Sequence, residues 1–140
     1  VPTPEGALDD AAFLARCAAP DHTARGVWSS AGALLGGAEL RHEAGDCADI
    51  GLWIAVAHAG RGHGTAALQA LCALAFGELG RRRLSWQCSA EHAASRRLAE
   101  RCGFVLEGIL REAHRRPGDD GWDDRAVYGR LWHDPPGPTR

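Results

Sequence analysis

The chain has 140 residues, 45% apolar and 24% charged, which is the composition of one globular domain and excludes a disordered tail or a collagen-like fibre. No run of about 18 apolar residues is present to span a membrane, and no basic-then-apolar leader opens the chain, so a cytoplasmic location is expected. All 16 basic residues are arginine and the formal net charge is −2, too little positive charge for a nucleic-acid domain. The halves differ: residues 1–60 hold three Arg against eight acidic residues, and residues 61–140 hold thirteen Arg against ten. The later excess suits a local anion site, because the arginine fork matches phosphate. Five cysteines form no C-x-x-C pair, and neither they nor the seven scattered histidines cluster as zinc ligands, so no metal is expected. Reduced core thiols are the reading for Cys72, Cys88 and Cys102.

Thr3 and Pro4 have the pattern of a helix start, and the helix is expected over 3–17. Strands are expected over 24–29 and 33–42, with Gly36-Gly37 marking a bulge or a close backbone approach. The nearly all-apolar run within 47–57 reads as a strand buried on both faces. A glycine loop, Gly60-Arg61-Gly62-His63-Gly64-Thr65, then opens a helix. Its apolar positions (Leu68, Leu71, Cys72, Ala75, Phe76, Leu79) and many alanines predict burial nearly all round, with Gly80 as its stop. A strand follows over 83–88. The next helix is expected over 91–102, with Ala94, Leu98 and Cys102 inward and Gly103 as the stop. Strands over 104–111 and 125–132 enclose a polar turn at 115–122, and 134–140 reads as a frayed tail. This order gives a mixed α/β sheet in one domain, with the strands on either side of the glycine loop and its helix parallel.

A glycine-rich turn between a buried strand and a helix N-terminus makes an anion site. Glycine lets the backbone approach closely, the first amides are free, and the helix dipole is positive there. The phosphate-binding P-loop needs Gly-Lys-Ser/Thr, and lysine is absent. The dinucleotide fingerprint needs a third glycine where Ala67 stands, and the acid expected after the next strand is missing. An ordinary strand–helix turn is the plainer alternative.

Residues 60–65 resemble motif A of the GNAT acetyltransferases. Ser95-Arg96-Arg97-Leu98-Ala99-Glu100-Arg101-Cys102-Gly103-Phe104 is similar to their S-x-R-x-L-E-K-x-G-F helix and strand. Leu106-Glu107-Gly108-Ile109-Leu110-Arg111-Glu112-Ala113 and Trp122-Asp123-Asp124…Val127-Tyr128-Gly129 resemble strands of the ribosomal-protein-alanine N-acetyltransferase (Rim-type) branch. The resemblance runs from about residue 4 to 133. It implies a GNAT-like, mostly antiparallel central sheet with one splayed parallel pair and flanking helices, lacking the family's first strand and helix. It implies acetyl-CoA as cosubstrate, its pyrophosphate on the amides of Arg61, Gly62, His63, Gly64 and Thr65. The pantetheine arm would lie between the splayed strands, along the backbone of Trp53, Ile54, Ala55 and Val56. Three positions depart from the family: Ala59 where Gln or Arg is frequent, His92 where Asn is usual, and Ala99 where many members carry a tyrosine acid.

Direct transfer needs a neutral amine, a polarised thioester oxygen and a protonated leaving thiolate. An α-amino group titrates near ~8 and a lysine near ~10.4, so the former needs less help from a base. The resemblance places His114, just after Arg111-Glu112-Ala113, at the family's base position, with Asp49 as the rival. Ser95 is placed as the acid for the thiolate and, with His92, as a cofactor contact. Each has a plainer reading: a polar-turn histidine, a strand-end carboxylate, a first-turn serine bonding backbone and a histidine at a helix start. Arg96, Arg97 and Arg101 are candidates for the cofactor phosphates or simply solvated. Tyr128 is expected to pack, and Trp28, Trp53, Trp86 and Trp132 to be core or pocket wall. The reading is an acetyl-CoA-dependent N-acetyltransferase acting on a primary amine, a protein N-terminus or a small molecule. An acyl-CoA-binding protein without efficient catalysis is the second reading. An interaction domain that forms a homodimer through an open sheet edge is the third.

Overall fold

The computed structural model describes residues 20–116 and 118–137; the helix read over 3–17, and Cys17 with it, lie outside them. Six strands form one sheet: β1 (His22–Trp28), β2 (Leu34–Glu43), β3 (Cys47–Ile54), β4 (Arg83–Ser89), β5 (Val105–Arg115) and β6 (Trp122–Leu131). Their order is β1-β2-β3-β4-β6-β5, and only β3–β4 is parallel. Helix α1 (His63–Phe76) crosses from β3 to β4, and α2 (Ala93–Arg101) leads from β4 to β5.

Alternation along the strands puts one face of the sheet under both helices. Leu40, Ala48, Ile50, Leu84, Trp86, Ala126 and Tyr128 meet Leu68, Leu71, Cys72 and Ala75 of α1 and Ala99 and Cys102 at the end of α2. That cluster is the core. Burial pushes the Cys72 thiol up to about 12 and the Cys102 thiol up to about 11, as inert packing thiols require. Cys47, Cys72, Cys88 and Cys102 are all free thiols. Arg130, 7% exposed on β6, sits 5.3 Å from the Phe76 ring centre and donates to the Cys102 carbonyl at 3.0 Å. It joins both helices to the sheet.

Several expected boundaries move, each for a local reason. The expected strand over 47–57 stops at Ile54, and Val56–His58 winds into a short 3-10 turn. Helix α1 is not buried all round: Ala66, Ala70 and Ala73 face out. Alanine reads the same on either side of a helix, so the pattern hid the exposed face. Its regular turns end at Phe76, but Gly80 still closes the segment. Gly80 has φ +65° and the Arg81 N–H reaches back to the Ala75 carbonyl at 2.8 Å. Helix α2 begins at Ala93 and turns Ala94 outward, because its inward arc follows Ser95, Leu98, Ala99 and Cys102. Gly103 (φ +84°) stops it as expected. Strand β5 runs on to Arg115 through a register break between Leu110 and His114, where Glu112 takes φ +48° and its N–H is held by Asp124 at 2.9 Å. Trp28 and Trp132 are exposed rather than core; Trp28 stands in the wall of a hollow between β1 and α1, and Trp132 stacks beside Arg82.

Gly36-Gly37 does both things its pattern predicts. A side chain at Gly36 would collide with the Trp53 carbonyl, so β2 and β3 close tightly there. The β1–β2 register breaks beside it, leaving Leu35 as the extra, buried residue.

Candidate active site

The parallel pairing of β3 with β4 lasts three positions: Cys47 with Arg83, Ala48 with Leu84, Asp49 with Ser85. Beyond them β3 follows β2 to Ile54, and β4 follows β6 to Ser89. The strands therefore splay, and their facing backbone edges form no further ladder pair among the described residues. Backbone polar groups need partners, so a wedge of this kind suits a ligand that carries amides.

At the apex Asp49 is held by two donors: Ser85 Oγ at 2.6 Å and, on its other oxygen, a close Arg41 guanidinium. The wedge opens into a cleft of about 260 Å³. Leu52, Trp53 and Ile54 line it from β3, Trp86 from β4, and His92, Ala94, Ser95 and Leu98 from α2. The glycine turn closes it with His58, Ala59, Gly60, Gly62, His63 and Gly64. Gly60 (φ +75°) and Gly62 (φ +82°) adopt the left-handed backbone that side chains resist, which is why this turn is glycine-rich. Gly62 is the N-cap of α1 with no side-chain cap, and no acidic residue stands in the first turn. The amides of His63, Gly64 and Thr65 therefore lack a helical acceptor. Helix α2 also starts at the cleft, with His92 as an N-cap whose side chain makes no cap bond. Two positive helix ends thus face one cavity. The only titratable side chains among the described lining residues are His58, His63 and His92, and none is acidic. The arrangement fits an elongated anion.

Of the residues singled out from the sequence, the fold gathers Trp53, Ile54, Gly62, His63, Gly64, His92 and Ser95 around this cleft. Ala55, Val56, Arg61 and Thr65 are not among its lining residues. The Ala55 N–H is already given to the Leu35 carbonyl at 2.8 Å, and Val56 is exposed on the 3-10 turn. Arg61 is exposed, and Thr65 lies half-buried one helical position further in. His114 is elsewhere. It stands near the end of β5 opposite Asp123 and borders a hollow of the β5–β6 hairpin with Arg115, Arg116, Asp119 and Asp120. Arg96 is taken up by Tyr128 Oη at 3.0 Å and the Ala90 carbonyl at 3.2 Å, and Arg97 and Arg101 point to solvent. Sequence reasoning missed His58, because the 3-10 turn interrupts what reads as one strand.

Fold and cleft together define an α/β scaffold in which one parallel strand pair splits open before two helix N-termini. The chain belongs to the GNAT acetyltransferase family, whose domain profile matches residues 2–105. It is 38% identical over 86 residues to the ribosomal-protein-serine acetyltransferase of Escherichia coli (strain K12), a match that covers 60% of this chain and 46% of that protein. The chain thus spans under half the length of this curated relative. Among solved structures, a spermidine N-acetyltransferase SpeG mutant from Vibrio cholerae superposes with a TM-score of 0.78 at 22% identity, over 86% of this chain and 72% of that one. A crystal structure described as a probable acetyltransferase superposes with a TM-score of 0.67 at 32% identity, over 74% and 57% of the two chains. GNAT acetyltransferases use acetyl-CoA as cosubstrate, and the fold of this chain is theirs.

Proposed function

We propose that the chain moves an acetyl group from acetyl-CoA to a primary amine by direct transfer. The observation that carries this is the cleft: a splayed parallel pair with two helix N-termini facing it and no acid among its described lining residues. On this reading the pyrophosphate rests on the amides of residues 61–65. The pantetheine arm runs along the side of β3 that faces β4, past residues 53–54, as a third strand would. The amine nitrogen attacks the thioester carbon, the C–S bond breaks, and the thiolate takes a proton. Ser95 lines the cleft from the first turn of α2 and is assigned that proton. Asp49 is occupied by Arg41 and Ser85, so its part is to hold the apex of the wedge. His114 carries the amine-proton role on the resemblance of its place after Arg111-Glu112-Ala113 alone; it stands on the hairpin outside the cleft lining, so this role requires an acceptor that reaches from the cleft to the hairpin. A cytoplasmic location, and one domain over the whole chain, belong to the same reading.

Two acceptors are worth trying first: a peptide beginning with serine, as the name of the bacterial relative suggests, and spermidine, as the name of the structural one does. Calorimetric titration with acetyl-CoA, followed by thiol-release assays on both, tests the proposal. Saturable, salt-sensitive binding with turnover of an amine supports it. Binding without turnover of any amine leaves an acyl-CoA-binding protein, and absence of binding removes the assignment of the cleft. The double change Ser95→Ala/His114→Ala is expected to cut kcat about 100-fold or more while leaving acetyl-CoA affinity within a few-fold; unchanged turnover removes both roles.

A further inference from the structure

The cleft has a mouth and a floor. At the glycine turn its wall is open to solvent, with Ala59, Gly60 and Gly62 exposed. It deepens along β3 past half-buried Ile54, Trp53 and Leu52. It ends on Trp86, which at 6% exposure is the one buried residue among the described lining residues. Trp86 is also the first residue of β4 past the last parallel pair, Asp49 with Ser85. Behind it the two strands are joined, so the wedge is closed at that end. The indole belongs to the core that α1 and α2 cover, and the Phe104 ring backs it at 6.5 Å between centres. Leu52 packs against the same core. Trp86 Nε1 is buried with no hydrogen-bond partner among the described residues, so what this side chain brings to the cleft is bulk.

We infer that Trp86 sets the length of the acyl group this chain accepts, by ending the cleft just beyond the thioester. The inference rests on the acyl-CoA reading above and adds a selectivity to it. With the pyrophosphate at the turn, the arm enters at the mouth and its acyl end lies at the floor. Trp86 follows Ser85 as Ile50 follows Asp49, so the open wedge runs from Ile54 back to the level of Ile50, about 13 Å of strand. The pantoyl, β-alanyl and cysteaminyl units together are about as long as four residues of extended chain. The sulfur therefore arrives near the end of the wedge, and the acyl carbons meet the indole. An acetyl group asks for one methyl beyond the carbonyl. Propionyl and butyryl groups ask for further methylenes, and these have only a backed ring and joined strands to enter. Pushing that ring aside overpacks the core behind it. A closed apolar wall of this kind separates ligands that differ by one methylene by about 10-fold or more.

Calorimetric titration of the 140-residue chain with CoA, acetyl-CoA, propionyl-CoA and butyryl-CoA tests it, with Trp86→Leu and Trp86→Phe alongside. The wild type is expected to bind acetyl-CoA about 10-fold or more tighter than propionyl-CoA, and butyryl-CoA more weakly still. Trp86→Leu is expected to bring the three esters within about threefold of one another while its affinity for CoA itself stays unchanged. Trp86→Phe keeps a ring against Phe104 and is expected to admit propionyl-CoA but not butyryl-CoA. Leu98→Ala is the control for a wider cleft: Leu98 lies at the turn, 3.6 Å from where a Cβ on Gly64 would stand, so it is expected to weaken all four ligands alike. Should Trp86→Leu fail to melt cooperatively, Trp86→Phe decides. A wild type that binds all three esters equally, or an acetyl preference that survives in the Trp86 variants, overturns the inference and leaves the acyl-CoA reading standing. Failure of CoA and every ester to bind removes that reading and the inference with it.

Discussion

Gly62 stands at the N-cap of α1 with φ +82° and open space where a side chain would project. Its reason is therefore backbone conformation and not crowding. Gly62→Ala is expected to cost about 1–2 kcal/mol of stability and to weaken acetyl-CoA binding severalfold, because the same strain re-aims the amides behind it. Thermal melts and calorimetry on one variant separate the two effects. Tyr128 is a second residue whose setting decides its role. It is fully buried, its hydroxyl accepts from Arg96 Nε at 3.0 Å and donates to Glu100 at 2.9 Å, and burial is the first cause that raises its pKa. Tyr128→Phe is expected to cost about 1–2 kcal/mol, read as a lower melting temperature. Arg96 would keep only its bond to the Ala90 carbonyl, so the loop into α2 loses part of its anchor. The packing role of Tyr128 is legible in the sequence; its bond to an arginine 32 residues earlier is not.

Among the elements, β6 is the strand on which most depends. It is flanked by β4 and β5, and Gly129 in its middle leaves room for a bidentate pair that spans it: Arg83 to Glu107 at 2.8 and 2.6 Å. A methyl group at Gly129 would run into both side chains. Gly129→Ala is expected to break the pair with a loss of roughly 1 kcal/mol or less, since both partners are partly solvated; a double-mutant cycle with Glu107→Gln measures it. Gly36→Ala is expected to cost more, about 2 kcal/mol or above, because the obstacle is the Trp53 backbone and not a mobile side-chain end. It would also disturb β3 where β3 lines the cleft. Neither requirement is visible as a motif. A strand glycine announces a close approach, but only pairing in three dimensions names what comes close.

At the scale of the whole molecule, stability is expected to respond to pH in two separate windows. Burial, and behind it the charge of Arg81, hold the His42 pKa below its ordinary 6.5. Its Nε2 is 2.7 Å from Thr23 Oγ, and its Nδ1 is buried with no hydrogen-bond partner among the described residues. The unfolded chain thus binds a proton that the folded chain resists. This contribution is complete above about pH 6.5 and is lost as pH falls below it. Glu107 behaves differently: its Arg83 partner lowers its pKa from 4.5, so its contribution is kept until pH falls well into the acid range. Melting temperature is expected to drop between neutral pH and pH ~5.5 in the wild type, and His42→Gln is expected to flatten that first step alone. A first step that survives His42→Gln assigns it to another group.

What the sequence determined by itself is the local chemistry. The glycine turn after an apolar strand, the helix that follows it, and the stops at Gly80 and Gly103 all rest on backbone preferences within a few residues. The blocks that resemble GNAT acetyltransferases are local in the same way. The tertiary structure decided which of those pieces share a cavity. It ended β3 at Ile54, so that His58 enters the cleft and Ala55 turns to β2. It carried β5 through a bulge, so that His114 lies beside Asp123 rather than in the cleft wall. It also left β5 at the edge of the sheet with its aliphatic side chains uncovered. Periodicity along a chain reports which faces are apolar. Which strands become neighbours, and where a parallel pair parts, is set by packing between segments tens of residues apart.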